Sequence, residues 1–208
     1  MTHALTLWLA LAAGAPGAAP GRAAPTPAAD TAVFAGGCFW GVEGVFEHVK
    51  GVLSATAGYA GGSVQSPTYE EVSSETTGHA ESVRVIYDPS RISYGQLLAV
   101  FFTVAHDPTQ LDRQGPDVGS SYRSIAFFRD SSQHAAITAY LADLARRHVY
   151  DAPVVTQVLA LGTFYEAEAY HQHYMEHHLD QPYIAYNDVP KLAHLKRTFP
   201  GLYRDSWK

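Results

Sequence analysis

The chain has 208 residues, 47% of them hydrophobic and 12% aromatic, with a formal charge of −6 when histidine is neutral. That length supports one domain with a substantial core, and the acid excess without a Lys/Arg cluster argues against nucleic acid as the main partner. The chain has a single cysteine, Cys38, so no intramolecular disulfide is possible and its oxidation has to be resolved by another molecule.

Residues 1–30 differ from the rest. Ala4 to Ala13 is an apolar run followed by an Ala/Pro/Gly tract through Ala29. The run is too short to cross a bilayer as a mature helix, so no stable membrane span is expected. It suits the hydrophobic region of a signal peptide with a linker behind it, and so an exported, periplasmic protein. Met1-Thr2-His3 lacks the basic residue such a peptide carries, and the alternative is a disordered extension on a cytoplasmic protein. Residues 31–208 form the folded, catalytic domain in this reading.

From Asp30 onward short apolar strands alternate with amphipathic helices. Ala32–Ala35 is extended and apolar, and after Gly36-Gly37 the residues Phe39, Val42, Val45, Phe46 and Val49 recur at helical spacing. Val52–Tyr59 and Glu81–Tyr87 are predicted strands. Ser93 caps a helix with the stripe Tyr94, Leu97, Leu98, Phe101, Phe102 and Ala105. Tyr122–Phe128 is a predicted strand. A helix starts at Ser131 or Ser132, with Ile137, Tyr140, Leu141 and Leu144 inward. Val154–Leu161 is strand-like, and Ala167, Tyr170, His171, Tyr174, Met175 and His178 form the stripe of a last helix. The order predicts an α/β (α+β) fold, a two-layer sandwich with a mixed β-sheet and a ferredoxin-like core. Ala60–His79 and Asp107–Ser121 are rich in turn formers and read as long loops, which in a compact domain are usually functional.

Cys38 is placed where a strand turns through two glycines into the first turn of a helix, beside Phe39 and Trp40. Unpaired N–H groups and the helix dipole there favour an anion, which lowers a thiol's pKa and activates it. A lone cysteine can equally be a small buried hydrophobe. Glu81 shares the period-2 face of Val83, Val85 and Tyr87, the inward face by content. Burial there keeps a carboxyl protonated near neutrality and able to donate a proton; at a strand end it can also swing to solvent. Tyr69 and Tyr122 lie in or beside the long loops, and among thirteen tyrosines the pattern alone does not select them.

Six ordered segments carry a resemblance. They are Gly37-Cys38-Phe39-Trp40-Gly41, Gly78-His79-Ala80-Glu81, His106-Asp107-Pro108-Thr109, Arg113-Gln114-Gly115-Pro116-Asp117, Tyr122-Arg123-Ser124 and Tyr170-His171-Gln172. Together, from about Asp30 to the C-terminal region, the chain resembles the type A peptide methionine sulfoxide reductases. The resemblance implies thiol-dependent reduction of methionine (S)-sulfoxide, free or in oxidised proteins, as repair after oxidative damage. It implies that Cys38 attacks the sulfoxide sulfur and that Glu81 protonates the oxygen so that it can leave. Tyr69, Tyr122 and Asp117 then line the oxygen's polar side, Phe39 and Trp40 receive the S-methyl group, and Cys38 becomes a sulfenic acid.

No bound cofactor and no metal is expected, and the chain is expected to be a monomer. Many members carry further cysteines near the C-terminus; residues 187–208 here have none. Recycling therefore calls for an external thiol: a thioredoxin-like protein, a glutathione/glutaredoxin system or dithiothreitol. Gly119-Ser120-Ser121 also departs modestly from the family's commoner Gly-Thr-Gln.

Two rivals remain from other classes. His173 and His177, four residues apart among His171, His173, His177 and His178, could face a zinc ion, although no clear carboxylate completes the set. Cys38 with a histidine base would instead make a cysteine hydrolase, which leaves Glu81 without a role.

Overall fold

The computed structural model describes residues 28–207, so the apolar run at the N-terminus lies outside the described residues. Strand β1 (Asp30–Ala35) leads through Gly36-Gly37 into helix α1 (Phe39–Glu47). Strand β2 (Val52–Ala60), helix α2 (Tyr69–Ser73) and strand β3 (Ala80–Tyr87) follow. Helix α3 (Tyr94–Val100) runs on as a π-turn over Phe101–Ala105. A two-strand hairpin, β4 (Arg113–Gln114) and β5 (Asp117–Val118), precedes β6 (Ile125–Phe128), α4 (Ser131–Arg146), β7 (Gln157–Ala160) and β8 (Tyr165–Glu166). The chain ends in the short helices α5 (Tyr174–His177), α6 (Pro182–Asn187) and α7 (Val189–Thr198).

The main sheet has the order β7-β6-β1-β3-β2-β8. Its four middle strands pair antiparallel and β7 runs parallel to β6, which makes the sheet mixed. With α1 and α3 as crossovers, β1-α1-β2-β3-α3-β6 is the expected ferredoxin-like core. The apolar stripe of α1 is fully packed: Phe39, Val42, Val45, Phe46 and Val49 are each 1% exposed or less. Each such side chain contributes about 1.5–3 kcal/mol of burial. Phe34 of β1 stacks on Phe46 and Phe101 at ring separations of 5.5 and 4.6 Å, joining strand, α1 and the π-turn.

Several expectations hold closely. Ser93 caps α3 in a reciprocal capping box with Gln96. Helix α4 begins at Ser131 because Asp130 accepts the N–H groups of Ser132 and Gln133. The two long loops carry α2 and the β4–β5 hairpin.

Three expectations do not. Tyr122 is not in a strand: β6 starts at Ile125, and Ser120–Tyr122 is a 3₁₀ turn. The Glu75 carboxylate fixes that turn by accepting from Ser120 Oγ (2.6 Å), Ser121 N (2.9 Å) and Ser121 Oγ (2.6 Å). The Val154–Leu161 strand is shorter, because Val155 N–H is engaged by Pro108 C=O at 2.8 Å before β7 begins. The single last helix is broken into a 3₁₀ turn (Ala169–His171) and α5. Gln172 bonds the Ala57 N–H and C=O, each at 3.0 Å, and the Ala167 C=O at 2.9 Å, and His173 takes a left-handed backbone at φ 54°. Of the stripe, Ala167, His171 and Met175 are buried, Tyr174 and His178 half-buried and Tyr170 exposed, and turns rather than a helix place them.

Candidate active site

Gly37 makes the turn into the site at φ 87°, and a Cβ there would lie 2.5 Å from the Gln114 side chain. Only glycine fits so close an approach. Gly36 packs equally tightly on His106, whose ring bonds Phe101 C=O (3.0 Å) and Ser124 Oγ (2.7 Å). Two of the six motif segments thus press on the turn from outside.

Cys38 is the N-cap residue of α1, one step before the predicted first turn, and is 8% exposed. Its expected pKa depression is not what the site produces. Burial drives the thiol well above its usual value, and the Glu81 and Asp188 carboxyls add to that, while the Trp40 backbone N–H opposes them. Desolvation outweighs the helix start, so the resting sulfur is a neutral thiol.

Glu81 fulfils its expectation. It is 3% exposed at the head of β3, and its Oε2 accepts the Phe39 N–H at 2.9 Å, one residue from the cysteine. Burial pushes its carboxyl up to about 8, with Asp117, Glu75 and Asp188 adding to the rise and the Phe39 N–H resisting it. At neutral pH it carries a proton.

Tyr69 starts α2, and Tyr122 ends the 3₁₀ turn. Burial and then the Glu81 charge raise both phenols, and Cys38 and Asp117 act on each of them as well. Glu81, Asp117 and both phenols are thus within electrostatic range of the one cysteine sulfur. Asp117, in β5, accepts the Tyr183 hydroxyl at 2.5 Å, and burial raises its carboxyl.

Beside Cys38 is a cavity of about 90 Å³ lined by Gln114, Asp117, Tyr183, Asp188 and Lys191 among others. Glu81, Tyr69, Tyr122, Phe39 and Trp40 lie outside that lining. Phe39 is buried, its ring 5.8 Å from Tyr59 and 5.0 Å from His171. Trp40 is half-buried, stacks on Tyr174 at 3.8 Å, and donates Nε1–H to His171 Nδ1 at 3.1 Å. That bond leaves the His171 hydrogen on Nε2, and burial lowers the ring's pKa, so His171 is a neutral acceptor that fixes the indole. Two larger concavities of about 490 and 480 Å³ meet around Tyr150–Ala152, away from the sulfur.

Tyr183, Asp188 and Lys191 escaped the sequence reading. They come from α6, α7 and their junction, whose only local signal is Pro182 and Pro190 near the helix starts. Asp188 lies so close to α1 that a Cβ at Gly41 would meet its Oδ1 at 1.9 Å.

The rival His173–His177 zinc pair gives way to a different group: Glu43, Glu47 and His173, with donor atoms within 4.8 Å, form a cluster that could hold a metal ion. Carboxylates do stand beside His173, against the expectation. Both Glu43 oxygens already accept main-chain N–H groups, from Ala57 (3.2 Å) and His173 (3.0 Å), and Glu47 Oε1 is taken by His173 Nδ1 at 2.5 Å. The cluster works as a tie between α1 and the C-terminal segment.

The ferredoxin-like core thus holds a solitary buried thiol next to the main-chain N–H that binds a protonated carboxyl. Comparison with known proteins names the family. The sequence profile described as "Peptide methionine sulfoxide reductase" matches residues 30–201, and the chain belongs to that family. It is 52% identical to peptide methionine sulfoxide reductase MsrA 2 of Mesorhizobium japonicum, over 86% of this chain and 92% of that protein. It is 50% identical to the MsrA of Natronomonas pharaonis, over 81% and 94%. Among solved structures it is similar to reduced Mxr1 of Saccharomyces cerevisiae, with a TM-score of 0.67 and 30% identity over 74% of this chain and 88% of that one. Methionine sulfoxide reductase A of Corynebacterium diphtheriae gives a TM-score of 0.64 and 32% identity, over 74% and 77%.

Proposed function

We propose that the protein reduces the S epimer of methionine sulfoxide to methionine with Cys38 as nucleophile and Glu81 as acid. The observation that carries this reading is the Phe39 N–H bond to Glu81 Oε2 at 2.9 Å, which holds a protonated carboxyl one residue from the buried thiol. A sulfoxide sulfur is a poor electrophile until its oxygen is protonated, so a neutral acid beside the thiol is the partner the chemistry needs.

Cys38 Sγ bonds to the substrate sulfur as the Glu81 proton passes to the oxygen, and the thiol proton refills Glu81. Glu81 passes this second proton to the oxygen, the substrate S–O bond breaks and water leaves; a water then attacks Sγ, which breaks the Sγ–S bond, releases methionine, returns a proton to Glu81 and leaves Cys38 as a sulfenic acid. The substrate oxygen thus departs as water within this half-reaction. Tyr69 and Tyr122 donate hydrogen bonds to it, Asp117 completes the polar side, and Trp40, with Phe39 beneath it, receives the S-methyl group.

Recycling uses an external thiol, thioredoxin-like or glutathione-based, because Cys38 is the sequence's one cysteine. The exposed apolar side chains Val118 and Tyr186 stand next in sequence to the cavity residues Asp117 and Asn187, which favours methionine sulfoxide held in oxidised, partly unfolded proteins over the free amino acid. Export by the N-terminal run, with residues 31–208 as the working monomer, belongs to the same reading.

The test is turnover of each resolved epimer with thioredoxin, glutaredoxin plus glutathione, or dithiothreitol as the only electron source. The S epimer is turned over and the R epimer is a poor substrate. Preference for R, or no turnover with any donor, contradicts the reading.

A further inference from the structure

We propose that Asp188 is the general base that deprotonates the external thiol when it attacks oxidised Cys38, an inference that rests on the recycling reading above. A chain whose only thiol is already oxidised must draw its reductant into the cavity beside Cys38. A thiol is nucleophilic as the thiolate, so a group in that cavity has to take its proton. Asp188 lines the cavity, is 1% exposed, and is one of the charges that act on Cys38. Its Oδ1 pairs with Lys191 Nζ at 3.0 Å, but Oδ2 is buried with no hydrogen-bond partner. An unmatched carboxylate oxygen is costly to bury and is free to accept a proton.

The other groups around it fix its ionisation. Burial raises the Asp188 carboxyl, Asp117 raises it further, and Lys191 opposes both. Asp117 is less suited to the task, because the Tyr183 hydroxyl already occupies its Oδ2.

In the step itself the thiol proton moves to Asp188, and the reductant sulfur bonds to Cys38 Sγ as the Sγ–O bond breaks. The departing hydroxide takes the Glu81 proton and leaves as water. One proton is accepted and one donated, so the two carboxyls exchange states and reset through solvent. A second thiol then cleaves the mixed disulfide, which oxidises the reductant and returns Cys38 to the thiol.

The test starts from protein converted to the Cys38 sulfenic acid by one turnover of methionine sulfoxide. It is mixed with small thiols of similar size and graded acidity, in the wild type and in Asp188→Asn, which preserves shape against Gly41. Methionine formation in the first turnover is the internal reference. The expected result is that D188N slows recycling by weakly acidic thiols at least about tenfold relative to that reference, and that the deficit vanishes for thiols already ionised in solution. A deficit independent of thiol acidity, or none, overturns the proposal.

A second measurement does not depend on the variant folding. Wild-type recycling should slow more in heavy water with the weakest acid than with the ionised thiol, for which only the Glu81 proton moves, and equal solvent effects for both overturn it. Should wild-type sulfenic acid form and then resist every thiol, the recycling reading fails and takes this inference with it.

Discussion

The two halves of the site are built in opposite ways. On one side β1, the Gly36-Gly37 turn, α1 and β3 form a contiguous packed unit in which regular strands and one helix bring the Glu81 carboxyl to the main chain one residue from Cys38. On the other, residues from Tyr165 onward wrap over α1 as short turns and helices held by polar side chains: Gln172 on Ala57, His171 on Trp40, and Asp188 against Gly41. The first half fixes the reacting atoms by backbone geometry. The second closes the cavity by long-range contacts between residues far apart in the chain. Substitutions in the first should strike chemistry, and those in the second should strike stability and access before chemistry.

The largest effect belongs to Cys38→Ser. It should abolish turnover with an unfolding midpoint close to wild type, and surviving sulfoxide reduction would remove the nucleophile from the account. Next is Glu81→Gln, expected to slow the reductive half-reaction by about 10²–10⁴-fold, the usual worth of a positioned acid, with Glu81→Asp less affected. The active form of Glu81 is the protonated one, and its pKa lies at about 8. The wild-type rate should therefore hold below that pH and fall as pH rises through it, while the residual E81Q rate loses this limb. Equal profiles would contradict the assignment.

Gly37→Ala tests the hinge of the first half. The residue would have to keep φ 87° with its Cβ 2.5 Å from Gln114. Strain of that kind costs about 1–3 kcal/mol, and denaturant titration should register it together with a fall in activity, since the displaced residue is next to Cys38. Gln172→Ala tests the second half. It removes three hydrogen bonds to Ala57 and Ala167; the Ala57 N–H and C=O keep Glu43 Oε1 and the Ala167 N–H as partners, so the loss is about 0.5–1.5 kcal/mol per bond. Stability should fall while single-turnover chemistry changes little, and the reverse pattern would erase the contrast between the halves.

The remaining expected effect is electrostatic. Burial holds Glu47 at about 8 in the folded protein, against an ordinary value of 4.5. A raised carboxyl contributes stability that is complete below the ordinary value and is lost as pH rises through the folded one. Thermal midpoints should decline from pH 5 to pH 9, less steeply in Glu47→Gln, and an unchanged slope would show that the tie to His173 carries no proton linkage.

How much of this was readable follows the same division. The stripe from Phe39 to Val49, the Ser93 cap and the inward face of Glu81 come from local periodicity, and the structure repeats them. Cys38 was placed at a helix start correctly, yet its protonation was misjudged, because depth of burial and the Glu81 and Asp188 charges are set by tertiary packing that a helix start does not report. The last predicted helix failed for a related reason: Ala167, His171 and Met175 are buried at helix-like spacing, and turns pinned by Gln172 bury them as well as a helix would. Tyr183, Asp188 and Lys191 belong to short helices without a periodic stripe, and nothing local marks them as neighbours of a cysteine nearly 150 residues away.

The most direct measurement is a single turnover without reductant. Reduced protein is mixed with methionine (S)-sulfoxide, methionine is counted per chain, and the intact mass of the Cys38 peptide is read. The account predicts about one methionine per chain and Cys38 heavier by a single oxygen. Methionine formed with Cys38 unmodified, or no methionine from protein with a free thiol, would contradict it.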